Sequence, residues 1–230
     1  MLRKWADLPE TIKKDAVRPY YDCLNKKRGS IFLKRVVDIV LSLLMIVILS
    51  PILLIVAIMI KCDDPGPVFF RQVRVTTYGR EFRIFKFRTM VENAESLGTQ
   101  VTSQNDPRVT KIGERLRKYR IDEFPQLFNV FCGDMSFVGT RPEVPKYVKA
   151  YSDEMMATLL MPAGVTSEAS IKYKDENELL GTSDDPDSIY IEQVLPAKME
   201  YNLGSLRDFG IGHDIGLMFR TVGAVFGGKD

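Results

Sequence analysis

Histidine is nearly absent from this chain, and cysteine is scarce and scattered. His213 is the single histidine among 230 residues, so a Ser-His-Asp or Cys-His scheme has one candidate base. It lies in "FGIGHDIG", far in sequence from any nucleophile, and reads as structural. Cys23, Cys62 and Cys132 form no CxxC pair, which argues against a disulfide framework and a zinc site and fits a reducing compartment. The sequence also lacks a P-loop, a GxGxxG fingerprint, an internal repeat and any nucleic-acid module. Chemistry is left to carboxylates.

The net charge of +2 excludes little, but its distribution is uneven. Residues 68–120 carry twelve Lys/Arg against five Asp/Glu, whereas residues 152–192 carry two against ten. The basic block suits anionic phosphates on a nucleotide or lipid headgroup, and the acidic block reads by default as a solvated face.

From Val36 to Ile60 the chain is almost wholly apolar, interrupted by Asp38, Ser42, Ser50 and Pro51. As one straight helix the run would reach about 37 Å, enough for a hydrocarbon core of about 30 Å. It predicts membrane association, because a buried soluble helix is not normally apolar all round. Pro51 removes a backbone donor and crowds the Val47 carbonyl, leaving arms too short to cross alone. Lys34 and Arg35 flank one end and Lys61 the other, so charge asymmetry does not favour opposite sides. A kinked span and a helix–break–helix entering and leaving on one face both stay open on the residues alone. The first 29 residues, with Trp5, Tyr20, Tyr21 and many cations, suit either an interfacial arm or a loose tail.

Beyond the turn "DDPGP", two β-rich runs meet around Tyr78-Gly79-Arg80 and predict a hairpin. Lys86 and Arg88 alternate with Phe85 and Phe87, which places both cations on one face as a candidate phosphate clamp. "KIGERLRKYR" reads as a helix bringing Arg117 close to the adjacent carboxylates Asp122 and Glu123. Phe124, Leu127, Phe128 and Phe131 follow at helical spacing, so a helix is predicted to start near Pro125 with the two carboxylates at its cap. The loop "GDMSFVGTRPE" then aims Arg141 at an anion. An ordinary cap with salt bridges explains the carboxylate pair equally well at this level.

Together "KRVVDIV…LSPILLI", "FRQVRV…FRIFKFRTM", "IDEFPQLFNVFCGDMSFVGTRPE" and the terminal "D…RT" stretch resemble the bacterial sugar transferase family, the monotopic phosphoglycosyl transferases. The likeness covers roughly Phe32 to Phe226. It implies a mixed α/β, mostly helical fold with a compact catalytic domain, a β-hairpin and a re-entrant membrane hairpin broken at Ser50-Pro51. The expected layout is an N-terminal extension over 1–29, the membrane helix over 30–62 and a cytosolic catalytic domain over 63–230.

The resemblance further implies transfer of a sugar 1-phosphate from a UDP-sugar to polyprenyl (undecaprenyl) phosphate at the cytosolic face of the bacterial inner membrane, among membrane lipids. Asp122 falls on the family's nucleophile and on a ligand to magnesium (Mg2+), with Glu123 its dyad partner, orienting groups or assisting proton transfer. Arg117 and Arg141 match positions near phosphate or nucleotide, and Lys86 and Arg88 lie in a family motif. Two departures stand out: Gly139-Thr140-Arg141-Pro142 replaces the usual Gly-Pro-Arg-Pro, and "PAGVT" replaces "PGITG". The rival functions are a membrane-bound phosphohydrolase and a non-catalytic tether for anionic lipid.

Overall fold

In a computed structural model, which describes residues 2–94, 106–173 and 186–226, the apolar run lies within one helix, α2 (Arg28–Asp63). Pro51 sits inside it and helical conformation continues on both sides, so the two separate arms expected from the sequence do not form. A local hydrogen bond compensates. Ser50 Oγ donates at 2.8 Å to the Val47 carbonyl, the acceptor that proline leaves without an N–H.

One stripe of α2 faces protein. Lys34 makes a buried 2.6 Å ion pair with Asp214 and also donates to the Val138 carbonyl. Arg35 donates to the carbonyls of Val130 and Phe131, and Asp38 accepts from Ser136 Oγ and the Phe137 N–H. Near the other end, Val56 and Ile60 pack on Phe87 and Leu116, while Asp63 accepts from the Ile112 N–H. Between these anchors Val40, Leu44, Val47, Ile48 and Leu54 are each more than half exposed. The most apolar 18-residue window of the helix has a mean hydropathy of 3.2 and only 11% of it is buried. Exposed apolar surface of this extent marks a membrane or protein contact.

The N-terminal residues are neither a loose tail nor an arm with free aromatic anchors. Leu2, Leu8, Ile12, Val17, Tyr20, Tyr21 and Leu24 are all buried and join Ala157, Leu160, Leu203 and Phe209 in the largest apolar cluster. Helix α1 (Arg18–Lys26) carries Tyr20, whose hydroxyl donates to Glu154. Trp5 rests edge-on against Tyr21, with the Arg18 guanidinium over its ring. The aromatics that suggested an interface are used in packing.

The body is mixed α/β and mostly helical, a single domain. Its hairpin pairs β2 (Val73–Val75) antiparallel with β3 (Glu81–Arg83), turned by Tyr78 and Gly79 in left-handed conformation. Farther along the same arms, β1 (Phe69–Phe70) pairs with β4 (Lys86–Phe87). Helices α3 (Lys111–Lys118) and α4 (Gln126–Cys132) follow, then β5 (Met135–Val138), α5 (Pro145–Val148), β6 (Ala163–Thr166) and α6 (Glu168–Lys172). Strands β5 and β6 run parallel. The C-terminal part is helical over Pro186–Ile189, Leu195–Arg207 and Ile211–Phe226, with a π-helical turn at Tyr190–Val194.

Much of the acidic block lies outside the described residues. Four of its described members pair elsewhere than with the basic block: Asp153 with Lys14, Glu154 with Arg207, Glu168 with Arg220, and Asp187 with Lys146.

Just past β5, Gly139 crosses Gly164 of β6 backbone to backbone. A Cβ on Gly164 would lie 2.2 Å from both the nitrogen and the carbonyl oxygen of Gly139. Gly164→Ala is therefore expected to destabilise by about 1–3 kcal/mol or more, read as a lowered thermal midpoint. An unchanged midpoint would mean that this crossing is looser than described.

Candidate active site

The carboxylate pair is presented by a reversal of the chain. Helix α3 begins with Thr110 as a side-chain cap and ends at Lys118; two residues on, Arg120 has a φ of 54°, in the left-handed region. A single 3-10 turn, Ile121–Glu123, then carries Asp122 and Glu123 before α4. Leu116 and Ile121 pack with Val56 and Ile60, fastening this turn to α2. Pro125, not a carboxylate, is the N-cap of α4, and no side chain caps that helix. The capping role expected for the pair is not what holds it.

The predicted apolar face of α4 is also only partly correct. Leu127 is buried, but Phe131 is 39% exposed, and the remaining buried positions are Gln126, Asn129 and Val130. Asn129 explains one polar member: its side chain accepts from the Phe85 N–H and donates to the Arg83 carbonyl, tying α4 to the hairpin.

Two of the predicted cations meet Glu123. Lys86 Nζ donates to its Oε1 at 2.9 Å, and Arg141 Nη2 donates to the same oxygen at 2.5 Å. Arg141 Nη1 lies 3.4 Å from Oε2. Burial alone would raise the Glu123 pKa, but Arg141 and Lys86 outweigh it and hold this carboxyl well below the usual range. Glu123 is thus ionised and committed.

Asp122 behaves differently. Among the described residues its carboxylate has no hydrogen-bond or ion-pair partner. Burial, and then the adjacent Glu123 charge, push its pKa up, while Lys86, Arg117 and Arg141 pull it part of the way back. Arg117 is oriented by a 2.9 Å bond from Nε to Thr89 Oγ1 and acts on Asp122 through its charge. One carboxylate is pinned and its neighbour is uncommitted inside a cationic setting.

Arg88 does not join this group. It is 6% exposed and its guanidinium pairs with the backbone carbonyl and carboxylate of Asp64, at the exit of α2. Gly66, at φ 142°, leaves room for it, since a Cβ there would meet Arg88 Nη1 at 2.1 Å. Lys86 and Arg88 therefore part company: one serves the dyad, the other fastens the exit of α2. His213 is likewise remote, its Nδ1 lying 3.8 Å from Asp214, the residue paired with Lys34. Ser50 and Pro51 lie on the exposed stretch of α2 and take no part in the site.

No group of three or more His, Cys, Asp or Glu among the described residues is arranged to hold a metal ion. The uncommitted Asp122 still fits Mg2+, which commonly takes one or two protein carboxylates and fills its shell with phosphate oxygens and water.

Sequence reasoning missed the residues that support Arg141 from behind. Arg74 donates to the Pro142 carbonyl at 3.0 Å, and Glu143 accepts from Tyr190 Oη at 2.5 Å, with Lys198 beside both. Glu143 is 47 positions from Tyr190, and no local pattern announces that pairing.

Several known proteins are similar to this chain over most of its length. A protein of Aeromonas hydrophila named UDP-N-acetylgalactosamine-undecaprenyl-phosphate N-acetylgalactosaminephosphotransferase is 36% identical over 200 residues, covering 86% of this chain and 44% of that protein. The UDP-glucose:undecaprenyl-phosphate glucose-1-phosphate transferase of Escherichia coli (strain K12) is 36% identical over 195 residues, 83% of this chain and 39% of that one. The undecaprenyl-phosphate galactose phosphotransferase of Salmonella typhimurium is 37% identical over 155 residues, 61% and 32% of the two chains. The chain thus spans less than half the length of these curated relatives. The pattern of the family described as bacterial sugar transferase matches residues 29–228, and the chain belongs to that family.

Proposed function

We propose that the protein is a membrane-seated phosphoglycosyl transferase, moving a sugar 1-phosphate from a UDP-sugar to undecaprenyl phosphate. The observation that carries this is the division within the dyad: Glu123 is consumed by Lys86 and Arg141, whereas Asp122 is uncommitted among cations. A carboxylate attacking an anionic phosphoryl group needs such a surround to offset repulsion.

An Asp122 oxygen attacks the phosphorus bonded to the sugar. The bond from that phosphorus to the bridging oxygen breaks, UMP departs, and an aspartyl-phosphosugar remains. The phosphate oxygen of the acceptor then attacks the same phosphorus. The bond to Asp122 breaks, restoring the carboxylate and giving the lipid-linked diphosphosugar. Lys86 and Arg141, oriented by Glu123, and Arg117, oriented by Thr89, stabilise the phosphate oxygens. Glu123 serves as their organiser rather than as a base, because its pKa is held far from neutrality. Mg2+, when bound at Asp122, supplies further charge neutralisation of the diphosphate.

Attachment of both parts of α2 to one body supports a seating in which both ends of the helix stay on one face of the membrane. Lys34, Arg35 and Asp38 on one side of the exposed stretch, and Val56, Ile60 and Asp63 on the other, all contact the same domain. A span would set one of these groups about 30 Å away, beyond the hydrocarbon. Cysteine tags near residues 10 and 222 are expected to react only once the inner membrane is opened. Labelling of the first tag in intact cells would establish a span.

The three relatives carry N-acetylgalactosamine, glucose and galactose in their names, so the sugar is not fixed by family membership. Release of UMP from a panel of UDP-sugars, with and without undecaprenyl phosphate, tests the proposal and identifies the donor. Acceptor-independent turnover to free sugar phosphate would make it a hydrolase, and no UMP from any donor would leave a lipid tether.

A further inference from the structure

The loop that carries Arg141 is held from both sides. On one side, the Val75 N–H donates to the Glu143 carbonyl at 2.9 Å and Arg74 donates to the Pro142 carbonyl at 3.0 Å. On the other, the Gly164 N–H donates to the Thr140 carbonyl at 2.9 Å. The backbone around Arg141 is therefore ordered from Gly139 to Glu143 by strands β2 and β6.

A third attachment is made by side chains and is more costly to build. Glu143 is 7% exposed and Lys198 is 5% exposed, so two charges are removed from water. Tyr190 Oη donates to Glu143 Oε1 at 2.5 Å and accepts from Lys198 Nζ at 3.1 Å; the two charged groups lie 3.9 Å apart. Burying a charge pair in this way is weak in net stabilisation, so its retention calls for another explanation. Tyr190 opens a π-helical turn, Tyr190–Val194, and such turns are found often at functional sites. Arg74 adds a further buried cation that feels both Glu143 and the dyad residue Glu123.

We propose that the buried Glu143–Tyr190–Lys198 triad is a positioning device that fixes Arg141 in the orientation its phosphate contact requires. Glu143 lies two residues after Arg141, so its buried carboxylate anchors the segment that carries the guanidinium gripping Glu123. The triad touches no reacting atom and acts only through Arg141. The inference rests on the phosphate role proposed above for that residue.

The test is a coupling measurement on the full chain in membranes or detergent. Tyr190→Phe removes one hydroxyl from Glu143 and is expected to lower kcat/KM about 10-fold, the size of one charged hydrogen bond. Arg141→Lys keeps the charge but loses the fork, and is expected to lower kcat/KM by a similar or larger factor. In the double variant the Tyr190→Phe loss should largely disappear, whereas combined with Arg117→Lys it should persist in full. Tyr147→Phe is the control. Its ring lies 4.6 Å from that of Tyr190, but its hydroxyl serves Asp187 instead, so kcat/KM should hold.

A Tyr190→Phe variant that loses thermal stability but keeps kcat/KM would reduce the triad to packing and overturn the proposal. Full additivity with Arg141→Lys would overturn the proposal alone, leaving the phosphate role of Arg141 intact. An Arg141→Lys variant of normal activity would overturn that role and the triad's function with it.

Discussion

Asp122→Asn is expected to abolish turnover, by roughly 10^4-fold or more, while the protein stays folded and membrane-bound. An amide preserves the shape of the side chain but cannot accept the phosphoryl group. Stability should move the other way. Because burial and Glu123 raise the pKa of Asp122, the folded state holds its proton more tightly than the unfolded chain does. Stability therefore falls as pH rises from the ordinary aspartate value through the raised one, and the whole penalty is present above the raised value. Asparagine removes it, so the thermal midpoint of Asp122→Asn at pH 7 should equal or exceed that of the parent. The advantage should vanish below the ordinary aspartate pKa. A destabilised, partly active Asp122→Asn protein would assign the residue to structure.

Glu123→Gln is expected to do the opposite to stability. Its carboxylate compensates Lys86 and Arg141, which are 19% and 31% exposed at their side chains. Leaving two partly buried cations without their partner costs about 1–3 kcal/mol, roughly 5 °C in a chain of this size. The depressed pKa gives the matching pH dependence: this stabilisation is present above the ordinary glutamate value and is lost as pH falls through the depressed one. Activity should drop as well, because the two cations lose their orientation. The residual activity should show its acid limb at lower pH, since a charge that raises the Asp122 pKa is gone. A thermally neutral Glu123→Gln variant would contradict the division of labour in the dyad.

The parts of this site that are local in sequence were legible there. The hairpin about Tyr78-Gly79, the helix bearing Arg117 and the α4 start at Pro125 all follow from turn residues and apolar spacing. What the sequence does not reveal is which of several cations reaches which carboxylate. Lys86 and Arg88 alternate alike along one arm, yet Lys86 meets Glu123 and Arg88 meets Asp64, a choice made by where α2 ends. The rule for a lone proline predicts a break at Pro51; Ser50 beside it supplies the missing donor and the helix runs on. The N-terminal aromatics carry the composition of an interfacial arm, but their partners lie as far away as Glu154 and Arg207. Long-range burial of that kind leaves no periodicity to detect.

The central claim is that Asp122 becomes covalently attached to the sugar phosphate. Purified protein exposed to the active UDP-sugar without acceptor, quenched in acid and digested, should yield the peptide holding Asp122 with added mass equal to one sugar phosphate. Adding undecaprenyl phosphate before the quench should remove that mass, and Asp122→Asn should never acquire it. Rapid UMP release dependent on acceptor, with no adduct on Asp122 at any time before the quench, would contradict the account and favour direct transfer between the two substrates.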